Sequence, residues 1–323
     1  MILNNTKDSS IQFSICTTGL KSLTLEEIIA EARRLGLQGV EIWSGHIEDY
    51  LNRDGTLSEL RALLDSNQLL VPSLSEYSYF TKSREAYQVD LACVQRSAKW
   101  AKALRCPRIR TFAGHVPSRE ATSEQWAMAT AGLHEALQSC SRQGVVLAVE
   151  IHNNTLADTA DSLDRLLQAS RIRSFDGGGM NLIQSLTHFQ SDRNEAKPEK
   201  ERLNSDASDQ DINVNTEIEF IYDGFNLYVD HLDPISILKR FYPWISHVHF
   251  KDYHWDHENW GKSKAVPVLQ GDADHKAIFD TLLALGYKGF ISFEYFGDQV
   301  VELVDQSLSE LTDYMEKRVN SPD

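Results

Sequence analysis

A chain of 323 residues, 41% of them hydrophobic and 24% charged, is long enough for one large α/β barrel or two ordinary domains. Its formal net charge of −15 runs against a protein whose main task is to grip nucleic acid, because that task sets Lys and Arg against phosphates. No apolar run approaches the roughly 20 residues of a membrane-spanning helix, and the opening MILNNTKDSSIQFSICTTG lacks the basic start and apolar stretch of a secretory signal, so a cytoplasmic location is expected.

Short β-rich runs recur along the chain: IQFSIC (11–16), GVEIW (39–43), LLVPSLS (69–75), RIRTFAG (108–114), VVLAVEIH (145–152), EIEFIYD (217–223), ISHVHFKD (245–252) and FISFEYF (290–296). Helical patterns lie between them. LTLEEIIAEARRLGL opens with Thr24 as a predicted N-cap and two glutamates in its first turn. SEQWAMATAGLHEALQSCSRQG repeats apolar residues at three-to-four spacing and stops at Gly144. TADSLDRLLQAS and HKAIFDTLLALGYKG follow the same rule. Strands and helices that alternate predict a parallel sheet, and eight such units favour closure into a (β/α)8 barrel. No glycine-rich dinucleotide or phosphate loop follows the first strand, which weighs against an open doubly wound sheet. Residues 173–216 break the rhythm. Their second half is polar and reads as a solvated insert, while GGGMNLIQSLTHF is apolar enough to pack, as a flap over the mouth or as the sixth strand itself. Cys16, Cys93, Cys106 and Cys140 are scattered without a CxxC pair and predict reduced thiols.

In such a barrel the chemistry sits where strands end. Strand five finishes in Glu150 and strand six in Asp223; strand seven contains His249 and strand eight Glu294. Consecutive strands bring these four to one side of the mouth. Three carboxylates and an imidazole form a hard, oxygen-rich site for one divalent ion, with Mn²⁺ favoured and Zn²⁺, Co²⁺ or Mg²⁺ as alternatives. An outward salt bridge is the rival reading for Glu150 and Glu294, since a glutamate in an apolar strand is costly to bury unpaired. His247, on the same strand face as His249, reads as a hydrogen-bonded core residue. Asp223 has two rivals: a plain turn aspartate before Gly224, or Asp230 as the true strand-six ligand.

These segments resemble the xylose isomerase-like barrel superfamily, which holds sugar isomerases and epimerases, inosose dehydratases and the endonuclease IV type of repair nuclease. GLQGVEIW resembles its second strand, with Glu41 and Trp43 at the end; RTFAG resembles its fourth and AVEIHNNTLADT its fifth. IYDGFNLY resembles its Asp-x-x-(His or Asn) ending of strand six, pointing to Asp223 and Asn226, and HVHFKD resembles strand seven with its second histidine as ligand. VPVLQGDADHKAIFDTLLALGYKGFISFE resembles the closing loop, helix and strand, although LQGDAD stands where the family usually has G-x-G. The resemblance implies one barrel domain over 1–323, interrupted at about 173–216. It also implies metal ligation by Glu150, Asp223, His249 and Glu294, a small carbohydrate-like substrate, and a homo-oligomer as a common state. Arg110, His115, His152, Asn153, Lys251, Trp255, Asn226, Glu41 and Trp43 are then mouth residues for hydroxyls or an anionic end.

The chemistry that follows moves a proton next to a carbonyl through an ene-diolate stabilised by the ion. By the same resemblance, Glu150 and Glu294 remove and return that proton in an isomerase or epimerase. A dehydratase shares the first step and then expels a β-hydroxyl. An endonuclease IV-like phosphodiesterase wants more strand-end histidines than LSEYS and Asp223…Asn226 supply. A barrel that binds without catalysing is the remaining alternative.

Overall fold

Along most predicted strands one set of side chains is aliphatic or aromatic while the alternate set carries the polar and charged residues, so the two faces meet different surroundings. A computed structural model describes residues 11–171 and 217–320. Its strands are β1 (Gln12–Cys16), β2 (Gly39–Trp43), β3 (Leu74–Ser75), β4 (Arg108–Thr111), β5 (Val146–Glu150), β6 (Glu219–Asp223), β7 (Ile245–Phe250), β8 (Asp252–His254), β9 (Lys264–Val266) and β10 (Phe290–Phe293). Eight of these close a parallel barrel in the order β1-β10-β7-β6-β5-β4-β3-β2, with Gln12 beside Phe290 sealing first strand to last. Ile15, Ile42, Leu74, Ile109, Val149, Phe220, Val248 and Phe293 are fully buried and belong to the hydrophobic core.

The surrounding helices are α1 (Leu25–Arg34), α2 (Ser44–Asn52), α3 (Leu57–Ser66), α4 (Arg84–Ala103), α5 (Ser123–Ser141), α6 (Ala160–Arg171), α7 (Gly224–Val229), α8 (Pro234–Phe241), α9 (His275–Ala284) and α10 (Val300–Asn320). Thr24 caps α1 as its sequence predicts. Its hydroxyl accepts from the Glu27 N–H at 3.3 Å while the Glu27 carboxylate accepts from the Thr24 N–H at 2.7 Å, a reciprocal box. Gly144, three residues past α5, takes a φ of 71°, the left-handed turn that glycine adopts without strain. Among the described residues no helix is long and apolar enough to cross a membrane.

Three expectations are corrected. The third strand spans only Leu74–Ser75, with an isolated bridge from Leu70 to Gly39, because Pro72 has no N–H to give the ladder. The segments ending at 114, 152 and 296 leave the sheet three, two and three residues early, and these tails become the loops that shape the mouth. Asp252 does not extend the seventh strand; it opens β8, which pairs antiparallel with β9 as a separate hairpin. The flap or strand expected within GGGMNLIQSLTHF lies outside the described residues.

Candidate functional site

Strand register decides which side chains meet inside the barrel. Asp223 lies level with His249, and His249 with Ser292. Side chains two apart share a face, so Glu294, just past β10, rises above Ser292, and His247 sits one layer beneath His249.

The lower layer is closed. Glu41 is fully buried, and its carboxylate accepts from Ser75 Oγ at 2.6 Å and lies 2.9 Å from the Nε2 atoms of both His247 and His249. Burial raises the Glu41 pKa, but the two imidazoles outweigh it and hold the carboxyl well below its usual range. His247 Nε2 also lies 2.9 Å from Ser292 Oγ, which in turn lies 2.6 Å from Ser14 Oγ. A carboxylate can only accept, so the ring nitrogen of His249 facing Glu41 carries a proton and Nδ1 points the other way.

The upper layer gathers Glu150, Asp223, His249 and Glu294, whose candidate donor atoms all lie within 4.8 Å of one another. His249 Nδ1 is 3.8 Å from Glu150 Oε1 and 3.6 Å from Glu294 Oε2. Two cations thread the carboxylates. Arg110 Nη1 donates to Glu150 and, at 3.2 Å, to Glu294. Lys251 Nζ donates to Glu294 at 2.9 Å and sits 2.8 Å from Asp223 Oδ2. Burial raises the Glu150 and Glu294 pKa values. It is overcome by Arg110 at Glu150, and by Lys251 and His249 at Glu294, so both carboxyls are held below the ordinary range. Asp223 divides its oxygens: Oδ1 accepts from the N–H groups of Phe225 (3.0 Å) and Asn226 (3.1 Å), capping α7, and Oδ2 is left for the cluster. Both the turn and the cluster readings of this aspartate therefore describe the same side chain.

The donor set fits a divalent cation. His249 Nδ1 and Asp223 Oδ2 are buried without a hydrogen-bond partner, the latter met only by the charge of the Lys251 ammonium 2.8 Å away. Buried polar atoms are normally satisfied, and here the unsatisfied pair belongs to a set of three carboxylates and an imidazole. Burial lowers the His249 pKa, but Glu41 and Glu294 outweigh it and raise it well above the ordinary value, so an ion binding at Nδ1 displaces a proton.

Above the cluster opens a cavity of about 800 Å³, lined by Lys21, Trp43, Tyr77, Tyr79, Lys82, Arg110, Phe112, His115, Glu150, His152, Asn153, Asn154, Thr155, Lys251, Glu294 and Phe296. Of the expected mouth residues, Trp43, Arg110, His115, His152, Asn153 and Lys251 line it. Glu41 does not: β2 places it a layer lower, under His249. Asn226 is also displaced. Its amide nitrogen lies 3.3 Å from Glu150 Oε1, behind the cluster. Trp255 packs instead against Phe225 and Tyr253 beside the β8–β9 hairpin, its ring centre 5.6 Å from that of Phe225. Asp230 is exposed at the C-terminus of α7, away from the four. Lys21, Tyr77, Tyr79, Lys82, Phe112 and Phe296 were not legible as site residues, since loops beyond strands three and four and the first and last strands carry them without a motif.

Comparison with known proteins gives a consistent relationship. The family model described as xylose isomerase-like TIM barrel matches residues 29–175 and 209–317. A 3-dehydroshikimate dehydratase of Bacillus anthracis is 21% identical over 94% of this chain and 97% of its own length. An inosose dehydratase of Geobacillus kaustophilus is 23% identical, covering 83% of this chain and 71% of that one. Among solved structures, the IOLI protein with a bound zinc atom superposes with a TM-score of 0.68 at 14% identity, covering 95% of this chain and 99% of that one.

Proposed function

The chain belongs to the xylose isomerase-like TIM barrel family, and from that premise we propose that it is a metal-dependent dehydratase acting on a six-membered-ring hydroxyketone. The observation that carries this reading is the asymmetry of proton acceptors in the cavity. Glu150 and Glu294 are held below the ordinary carboxylate range by burial overcome by cations, and a carboxylate so held is a poor base. His152 stands apart from those ion pairs. Its Nδ1 lies 2.5 Å from the Asn153 carbonyl and donates to it, so in the neutral ring the lone pair is on Nε2, and the ring meets Phe112 edge-on at 5.2 Å. It lies two residues beyond Glu150 and lines the cavity. Two relatives are named 3-dehydroshikimate dehydratase and inosose dehydratase, names that denote loss of water from ring hydroxyketones, which agrees with a cavity walled by Tyr77, Tyr79 and Phe112.

In this reading Glu150, Asp223, His249 and Glu294 hold the ion, with Mn²⁺ the first to test and Zn²⁺, Co²⁺ and Mg²⁺ beside it. When bound, the ion supplies Lewis-acid polarisation of a carbonyl oxygen. His152 takes the proton from the carbon beside that carbonyl. The C–H electron pair becomes the new double bond, the β-hydroxyl leaves, and the proton on His152 passes to it as water. Arg110 and Lys251 fix the carboxylates and keep them charged. A second reading, epimerisation or isomerisation with Glu150 and Glu294 passing the proton, draws on both carboxylates lining the cavity.

One experiment separates them. Metal-loaded protein is incubated with ring hydroxyketones in deuterated water and followed by NMR. Dehydration yields a conjugated product with loss of water, and His152→Asn lowers both turnover and carbon–hydrogen exchange by about 100- to 10,000-fold. Deuterated stereoisomers with no loss of water, formed equally well by the His152 variant, support the carboxylate pair instead.

A further inference from the structure

The cations of the cavity fall into two sets. Arg110 and Lys251, at the floor, are buried and bound to the cluster carboxylates. Lys21 and Lys82, at the rim, form no ion pair among the described residues. Each rim ammonium stands over an aromatic ring instead: Lys21 Nζ is 4.8 Å from the centre of the Trp43 ring, and Lys82 Nζ 3.9 Å from that of Tyr79. The rings therefore hold both cations at the cavity wall. Tyr79 continues the wall inward, stacked on Phe112 at 5.1 Å with 7° between planes, and Phe112 reaches His152. His115, 2.7 Å from the Thr81 hydroxyl beside Lys82, lines the same side. A chain of net charge −15 thus lines this cavity with four permanent cations against two carboxylates, and leaves its rim cations unanswered.

We propose that the outer half of the cavity is a subsite for a carboxylate on the substrate ring, with Lys82 and Lys21 as its cations and the Tyr79–Phe112 stack as the surface along which the ring lies. A carboxylate is favoured over a phosphate because the lining includes no glycine to cradle phosphate oxygens, and the helix start that borders it, that of α2 at Trp43, has the Trp43 ring folded over Gly45. The inference rests on the ring-substrate reading of the same site. Both lysines are solvent-exposed, so each contributes modestly, about two- to fivefold in affinity.

The test needs no turnover. 3,4-Dihydroxybenzoate and catechol share a pair of adjacent hydroxyls and differ only in the carboxylate. Their binding to the full-length, metal-loaded protein is measured by calorimetry at two salt concentrations. The wild type is expected to prefer the dihydroxybenzoate, and Lys82→Met and Lys21→Met each to erode that preference about two- to fivefold while leaving catechol unchanged. Added salt should erode it in the same sense. Equal binding of the two by the wild type, or variants that weaken both alike, would overturn the subsite. A ketose phosphate and its free ketose form a second pair. Discrimination of that pair by the lysines without discrimination of the first would make the anion a phosphate and overturn the carboxylate. Because binding is read directly, a protein that fails to dehydrate ring ketones refutes the dehydratase reading while this contrast still stands or falls by itself.

Discussion

Two layers inside one barrel contain the same functional groups, meet at one histidine, and come to opposite ends. In the lower layer the Glu41 carboxylate is answered by Ser75, His247 and His249, and it has no opening to the cavity. In the upper layer Glu150 and Glu294 are held by Arg110 and Lys251 yet line the cavity, and His249 Nδ1 and Asp223 Oδ2 are left without hydrogen bonds. Burial of an acid therefore does not by itself mark a site. An unsatisfied nitrogen does not mark it either, since His247 Nδ1 in the lower layer also lacks a partner; what marks the site is that the free lone pairs of the upper layer converge with two further carboxylates that line the cavity. His249 links the two layers, one ring nitrogen on Glu41 and the other among the ligands, so the lower layer is the means by which the upper one is aimed.

The strongest way to break this contrast is at Glu294. Glu294→Gln keeps the shape and one coordinating oxygen but removes the charge that Lys251 and Arg110 grip. Because Glu294 holds the ion in the proposed mechanism, turnover is expected to fall by about 100-fold or more in a protein that stays folded and still takes up metal, more weakly. Near-normal turnover would make Glu294 structural and put the upper layer on a par with the lower. Loss of fold and metal together would fit ligation but not a role confined to the chemistry.

Glu41→Gln probes the lower layer in the same spirit. The amide cannot accept from both imidazoles and Ser75 as the carboxylate does, so His249 loses the partner that fixes its orientation. Metal affinity, measured by competition with a chelator, should drop about 10- to 100-fold. Turnover at saturating metal should recover most of the wild-type rate. An unchanged affinity would show that the strand alone orients His249.

The upper four were legible because a glutamate or aspartate ending an apolar strand has to be answered by something, and one such residue per successive strand is a pattern a linear sequence can display. Glu41 was legible as a strand-end acid but not as a lower-layer one. Strands in a barrel are staggered, so an equal distance from a strand end does not mean an equal height, and only register places Glu41 beneath His249. Asn226 and Trp255 fall outside the cavity lining for a related reason: one sits on a short helix, α7, with its amide on Glu150, and the other packs beside the β8–β9 hairpin. The rim lysines and the Tyr79–Phe112 wall had no signature, because loop residues acquire their neighbours only through the fold. The barrel itself, in contrast, was carried by repetition, and even the truncated β3 had its cause in view at Pro72.

The smallest expected effect is a slope, and it tests whether the two imidazoles of Glu41 differ as their surroundings imply. In the metal-free protein His247 is pushed down to about 4, chiefly by burial, against an ordinary value of about 6.5. His249, two residues away, is instead raised well above 6.5 because Glu41 and Glu294 together overcome its burial. The signs are opposite. Below pH 6.5 the unfolded chain binds a proton at position 247 that the folded protein refuses until about pH 4, so His247 removes stability as pH falls through that window. His249 is charged in both states there and contributes no slope; its stabilisation declines only as pH rises through its elevated folded value. Carboxylates held low, such as Glu41, Glu150 and Glu294, begin to matter below their unfolded range, near about pH 4.5. The interval from about 6.5 to 4.5 is shared by His247 and by His46, whose pKa burial also lowers, and His247 is expected to contribute a loss of about 1 kcal/mol per pH unit there. His247→Gln keeps a donor toward Glu41 and cannot titrate. Urea melts in the presence of chelator should show the wild type losing stability across that interval and the variant losing it less steeply, keeping the part that His46 contributes. Parallel slopes in the two proteins would mean that His247 takes up its proton in the folded state without difficulty, and that the lower layer is less closed than its hydrogen bonds indicate.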